Sequence, residues 1–267
     1  MNPRSFLKAL ILLMLVPALL CVLLPDSIAR SYTRIMYPLI LLLGGVLAMR
    51  VSTIYTNWLR NAFVFLSLFL FFTIFPHFDF LWSFYAAHPL FVMLLQWVTY
   101  AMLVLCSIYI LKVTEVRKIN SKGWLLIAAM LVIGIGILVY HLPPLFLYYP
   151  PIYKLPLTLI YILDVAIVVM LMPVVLLYTQ QMRAEGRESI TFTTIVSGLI
   201  IVTIAVYLYV IVTGHELYEA PFFFHTGSAL DALYIFGYLL IAAGLYVHGN
   251  YDDWGFAQIE QALLAGG

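Results

Sequence analysis

The residue whose type and position could do the most chemistry is Asp164, a carboxylate set inside the apolar run Leu155 to Tyr178. It lies about nine residues into that run, and at 1.5 Å per residue this is roughly 14 Å of depth, near the middle of a bilayer. A carboxylate there is costly unless it faces the bundle interior, pairs, or carries a proton, so intramembrane acids are functional sites by default. The plain alternative is a neutral aspartic acid bonded to a helix neighbour as packing glue. Gln96 on the fourth apolar run and Asp231 at the start of the eighth are its expected company, with Tyr100, Tyr234 and Tyr238 as hydroxyl donors. All of these fall in the outer half or near the centre of their runs, while the inner halves are almost purely aliphatic. The pattern predicts a water- or ligand-filled pocket that opens outward and is closed inward.

The histidines are a second set of groups able to do chemistry. Of the six, His77, His88, His141, His215 and His225 fall on the side predicted to be outer, and His248 on the inner side. Imidazole and carboxylate suit zinc, iron or copper, and His215, Glu216, Glu219 and His225 lie close in sequence, although no HExxH or CxxC accompanies them. His88 and His141 flank the fourth and fifth runs at matching outer depth, which is where an outer haem would find axial ligands. The bland explanation is that outer loops short of lysine use other polar residues. The loop from Pro76-His77 to His88 resembles the loop from Gly214-His215 to His225: each has an acid beside its first histidine and a second histidine ten or eleven residues later. Because these loops close helices three to four and seven to eight, they suggest a four-plus-four duplication whose loops meet over the outer mouth.

The elements that must position these groups follow from composition. Hydrophobic residues are 65% and charged residues 9% of 267 positions, against roughly 45–50% and 25% in soluble domains. Such a surface excludes water as its main solvent, and a net charge of +1 gives no footprint for nucleic acid. The expected fold is an all-α integral membrane protein, a bundle of about eight transmembrane helices. The spans are predicted at about 6–24, 35–53, 58–75, 89–111, 123–140, 155–178, 192–213 and 230–247, followed by a short cytoplasmic tail, 248–267. The first run is expected to be a retained helix, since no small-x-small cleavage site closes it. Breakers mark the connections, among them Pro76, Pro143-Pro144, Pro150-Pro151 and Gly214.

Orientation follows the basic residues. With the amino terminus inside, the inner segments hold Arg4, Lys8, Arg50, Arg60, Lys112, Arg117, Lys118, Lys122, Arg183 and Arg187, and the outer loops hold Arg30, Arg34 and Lys154. Ten against three predicts both termini in the cytoplasm and a multi-pass protein of the cell membrane. Lys112, Arg117, Lys118 and Lys122 form a cluster suited to anionic lipid. Cys21 and Cys106 fall inside apolar runs and are expected as buried free thiols. Pro17, Pro38 and Pro173 should kink their helices, and Ile133-Gly134-Ile135-Gly136 should let a neighbouring backbone approach closely.

The last run, Leu230-Asp231-Ala232-Leu233-Tyr234-Ile235-Phe236-Gly237-Tyr238-Leu239-Leu240 onward to His248, resembles the final membrane helix of multi-pass sensor modules found at the N-terminus of archaeal and bacterial signalling proteins. The resemblance implies a module that senses a ligand from the outer or membrane phase and signals through its last helix. About twenty residues follow that helix, with no output domain, so a stand-alone module acting through a protein partner in the membrane or cytoplasm is expected. No nucleophile is paired with a base, which argues against an enzyme. Two other readings use the same residues: the membrane anchor of a quinone or haem redox complex, with His88 or His141, and a small transporter using Asp164 as a proton or cation site.

Overall fold

The computed structural model describes residues 3–75, 88–113, 119–148, 151–180, 187–213 and 229–251. Among them the regular elements are all helices: α1 (Pro3–Leu23), α2 (Asp26–Ser52), α3 (Trp58–Ile74), α4 (Pro89–Val113), α5 (Ser121–Tyr148), α6 (Pro151–Gln180), α7 (Arg187–Thr213) and α8 (Ala229–Gly249). Four stretches are long and apolar enough to cross a membrane: Ser27–Ser52, Leu90–Lys112, Ser121–Tyr140 and Leu230–Gly249. Shorter apolar stretches are Lys8–Leu23, Trp58–Ile74, Tyr161–Pro173 and Phe192–Ala205.

Local chemistry sets several boundaries. Asn57 caps α3, its side chain accepting from the Leu59 amide at 3.0 Å, and Asn120 does the same for α5 through the Gly123 amide at 2.8 Å; each satisfies an amide that has no partner within its helix. Proline opens α4 and α6, where its missing N–H costs nothing and its fixed φ already suits a helix. The predicted start of the second span at residue 35 falls well inside α2, which begins at Asp26 directly after Pro25. Arg30 and Arg34 lower the apolar signal over this stretch without interrupting helical geometry. Arg50 sits in the last turn of α2, the end of the helix dipole that favours a cation. Pro143-Pro144, expected to break the chain, lie within α5, which runs on to Tyr148. Beyond them, the Lys154 ammonium donates to the Phe146 carbonyl, one of the acceptors left without a partner at the helix end.

The helices pack up and down. Lys112 near the end of α4 lies 4.4 Å over the Trp58 ring at the start of α3. Tyr55, in the α2–α3 connection, reaches His248 at the end of α8, and Phe192, near the start of α7, reaches the same histidine. These contacts gather one end of the bundle. Helix α8 is its hub, packing on α7, α1 and α2, while α3 joins α2 to α4, and α6 joins α4 to α7. One core cluster draws residues from every helix but α5. That helix instead leans on α6 through a small separate cluster of Ile119 and Ile127 against Val169, Met172 and Leu176. Both cysteines are buried and free.

Helix α2 packs on α3 and α8, and α6 packs on α7 and α4. Helix α1, however, packs on α8 with no comparable contact of α5 on α4 among the described residues, and the two loops that suggested a four-plus-four duplication lie outside them.

Candidate functional site: a carboxylate at the floor of a flank cleft

Asp164 is the fourteenth of the 30 residues of α6, so it sits at mid-height. It is 2% exposed. The Tyr100 hydroxyl of α4 donates to its Oδ1 at 2.7 Å, while Oδ2 is buried without a hydrogen-bond partner among the described residues. A buried acceptor left unmet is uncommon and calls for an explanation. Beside it lies a cavity of about 260 Å³ between α5, α6 and α7. Met130, Ile133 and Gly134 form one wall, Val165, Val168 and Val169 the next, and Thr203, Ile204 and Leu208 the third, with Asp164 as the one ionisable side chain among the lining residues. The Thr203 hydroxyl already donates to the Leu199 carbonyl at 2.9 Å.

Gly134 explains how α5 can approach here. A Cβ at this position would lie 2.6 Å from Cγ1 of Val165, the residue next to Asp164, whereas a Cβ on Gly136 would meet nothing within 4 Å. Only the first glycine of the expected pair therefore serves the contact.

A second acid–phenol pair lies on α2 and α8. The Tyr37 hydroxyl donates to Asp231 Oδ1 at 2.9 Å, and Asp231 is 4% exposed in the first turn of α8, where a negative charge meets the positive end of the helix dipole. Tyr234 stands edge-on to Tyr37 at 6.2 Å. Tyr238, one turn further along α8, is buried. One pair joins α2 to α8 and the other α6 to α4.

Of the expected site residues, Asp164 and Tyr100 are in direct contact. Gln96 lies one turn before Tyr100 on α4, with its Oε1 buried and unpartnered among the described residues. Asp231, Tyr234 and Tyr238 form the adjoining layer around Tyr37 and do not line the cavity. His88 is exposed at the start of α4, its carbonyl accepting from the Phe91 amide at 3.0 Å. His141 belongs to α5. His215, Glu216 and His225 lie outside the described residues, as do Arg117 and Lys118. Among the described residues no three His, Cys, Asp or Glu side chains converge as metal ligands.

Sequence reasoning passed over Tyr37 and the environment of His248. The Tyr55 hydroxyl and His248 Nε2 are 2.6 Å apart. The imidazole is 0% exposed, with ring centroids of Tyr55, Phe63 and Phe192 at 5.6, 5.7 and 6.0 Å. A histidine at the end of an apolar run, with aromatic residues at the facing helix ends, was the available signal. No protein-family model, curated protein or solved structure matches this chain, so its functional reading rests on the geometry.

Proposed function

We propose that the chain is a multi-pass protein of the cell membrane, crossing eight times with both termini in the cytoplasm, and that it acts as a sensor-like or accessory module binding a small ligand at Asp164. The eight apolar helices and their up-and-down packing support the crossings. The end of the bundle where Tyr55, Trp58, Lys112 and His248 gather also carries Arg50, Arg60 and Lys122, as a cytoplasmic face should. Trp58 and Tyr109 stack there at 5.6 Å with Lys112 above them, an arrangement suited to the headgroup region and its anionic lipid.

One observation carries the ligand reading: a mid-height carboxyl oxygen is buried without a partner beside a void. A purely structural aspartate would be satisfied on both oxygens or replaced by an apolar residue, because an unmet buried acceptor is destabilising. A proton- or cation-coupled transporter would use the same oxygen and is the second reading. The cavity favours both over a redox anchor, since the exposed His88 does not line it.

The test is native mass spectrometry of the full chain extracted with its own lipids. A bound small molecule is expected on the wild type and is expected to be lost from Asp164→Asn. Equal retention by the two proteins would remove Asp164 from the function. Uptake into vesicles driven by a pH gradient and lost in Asp164→Asn would select the transporter.

A further inference from the structure

Resting on the reading of Asp164 as a ligand site, we infer that its ligand is a lipid-phase amphiphile whose amine head donates to Asp164 Oδ2 and whose tail lies between α5 and α7. The height of the cleft is the first argument. Gly134 is the fourteenth of the 28 residues of α5, Asp164 the fourteenth of the 30 of α6, and Thr203 the seventeenth of the 27 of α7. The cavity is therefore halfway along all three helices and not at either mouth of the bundle.

The second argument is the direction in which it opens. Two of its wall residues, Ile133 and Ile204, are also 55% and 37% exposed on the outside of the bundle. The opening thus leads onto an apolar flank, which in a membrane faces acyl chains. Among the described residues helix α5 contributes nothing to the main core and is held against α6 by the small cluster and by the close approach of Gly134 to Val165, so admitting a chain between α5 and α7 leaves the main core in place.

The third argument is the chemistry at the floor. Oδ1 already accepts from Tyr100, Thr203 has spent its proton on Leu199, and no basic side chain is among the lining residues. What is missing is a donor to Oδ2, which is enclosed and comes within reach of the cavity through a small turn of the carboxyl, and a charged donor makes the strongest such bond. A carboxylate head would instead set lone pairs against lone pairs. A volume of about 260 Å³ is at the small end of ligand pockets, which start near ~300 Å³. It suits a head and the first part of a chain, the remainder passing out between α5 and α7.

The test uses the full chain in phosphatidylcholine vesicles and three photoreactive diazirine probes: dodecylamine, dodecanoate and a short water-soluble aminoalkane. Peptide mapping should find the dodecylamine on the walls formed by α5, α6 and α7, about ten-fold above dodecanoate and about ten-fold reduced in Asp164→Asn. Val168→Phe, which narrows the cleft and keeps the carboxyl, should lower labelling to a similar extent. It keeps the test decisive should Asp164→Asn fold poorly. Equal labelling by dodecylamine and dodecanoate would overturn the amine head. Labelling by the short aminoalkane in place of dodecylamine, still dependent on Asp164, would overturn the lipid route while leaving Asp164 a ligand site. Wall labelling indifferent to both substitutions would overturn this inference and the ligand reading together.

Discussion

Two hydrogen bonds of nearly equal length join distant parts of the bundle, and their surroundings could hardly differ more. Tyr55 and His248 are 2.6 Å apart inside a box of aromatic rings, with the imidazole fully enclosed. Tyr100 and Asp164 are 2.7 Å apart, but the acid keeps one oxygen unmet beside a cavity. Within a bilayer, lipid tails are as apolar as leucine, so helices are held by close packing and interhelical bonds, not by escape from water. By that measure the histidine box holds the bundle together, drawing α3, α7, α8 and the α2–α3 connection to one point. The acid's bond fastens only half of its carboxyl. A fold that encloses one imidazole among rings and leaves a carboxyl oxygen unmet beside a void separates a structural use of polarity from a functional one.

The comparison breaks first if the box is not structural. His248→Ala removes a fully buried ring and strands the Tyr55 hydroxyl, so a loss of about 3 kcal/mol is expected in reversible unfolding of the detergent-solubilised chain. A loss no larger than that of an exposed substitution would show that the box holds nothing. Next in size is the seam beside it. At Gly198 a Cβ would stand 2.6 Å from the Gly237 carbonyl oxygen, a backbone atom that can yield only if α7 and α8 separate. Gly198→Ala should therefore cost about 2 kcal/mol. The same change at Gly136, which faces open space, should instead gain roughly 0.5 kcal/mol from helix propensity. Tyr55→Phe keeps the ring and removes the hydroxyl from His248, and about 1 kcal/mol is expected.

How far the sequence reveals this contrast depends on the kind of information each region needs. The helices are legible because a long apolar run declares itself residue by residue. Asp164 is legible for the same reason, as the one acid set deep in such a run. Tyr100 follows as a donor at matching height. What the sequence withholds is azimuth. Helix α6 is apolar on nearly every side, so no stripe indicates which way Asp164 faces, and the cleft toward α5 and α7 becomes visible only with the neighbours in place. Gln96 and Asp231, the company expected from the sequence, do not line its cavity. The box around His248 was hidden for another reason: Tyr55 and His248 are separated by 193 positions, and aromatic residues are too frequent in this chain for any four to stand out. The extension of α5 through Pro143-Pro144 was hidden because proline signals a break, and the donor that meets a carbonyl beyond them, Lys154 to Phe146, belongs to the next helix.

The smallest expected effect sharpens the comparison most. If Asp164 is retained for a ligand and not for the fold, replacing both members of its bond with apolar groups should leave stability within about 1 kcal/mol of the wild type, because a hydrogen-bonded pair exchanged for apolar groups of similar shape is nearly neutral. Asp164→Leu combined with Tyr100→Phe meets that condition. Asp164→Leu alone does not, since it strands the Tyr100 hydroxyl, and it should be the less stable of the two. The double variant is expected to unfold like the wild type while losing the bound molecule. A double variant that unfolds readily would place Asp164 with His248 among the groups that hold the bundle together, and the cavity beside it would then be a packing defect and not a site.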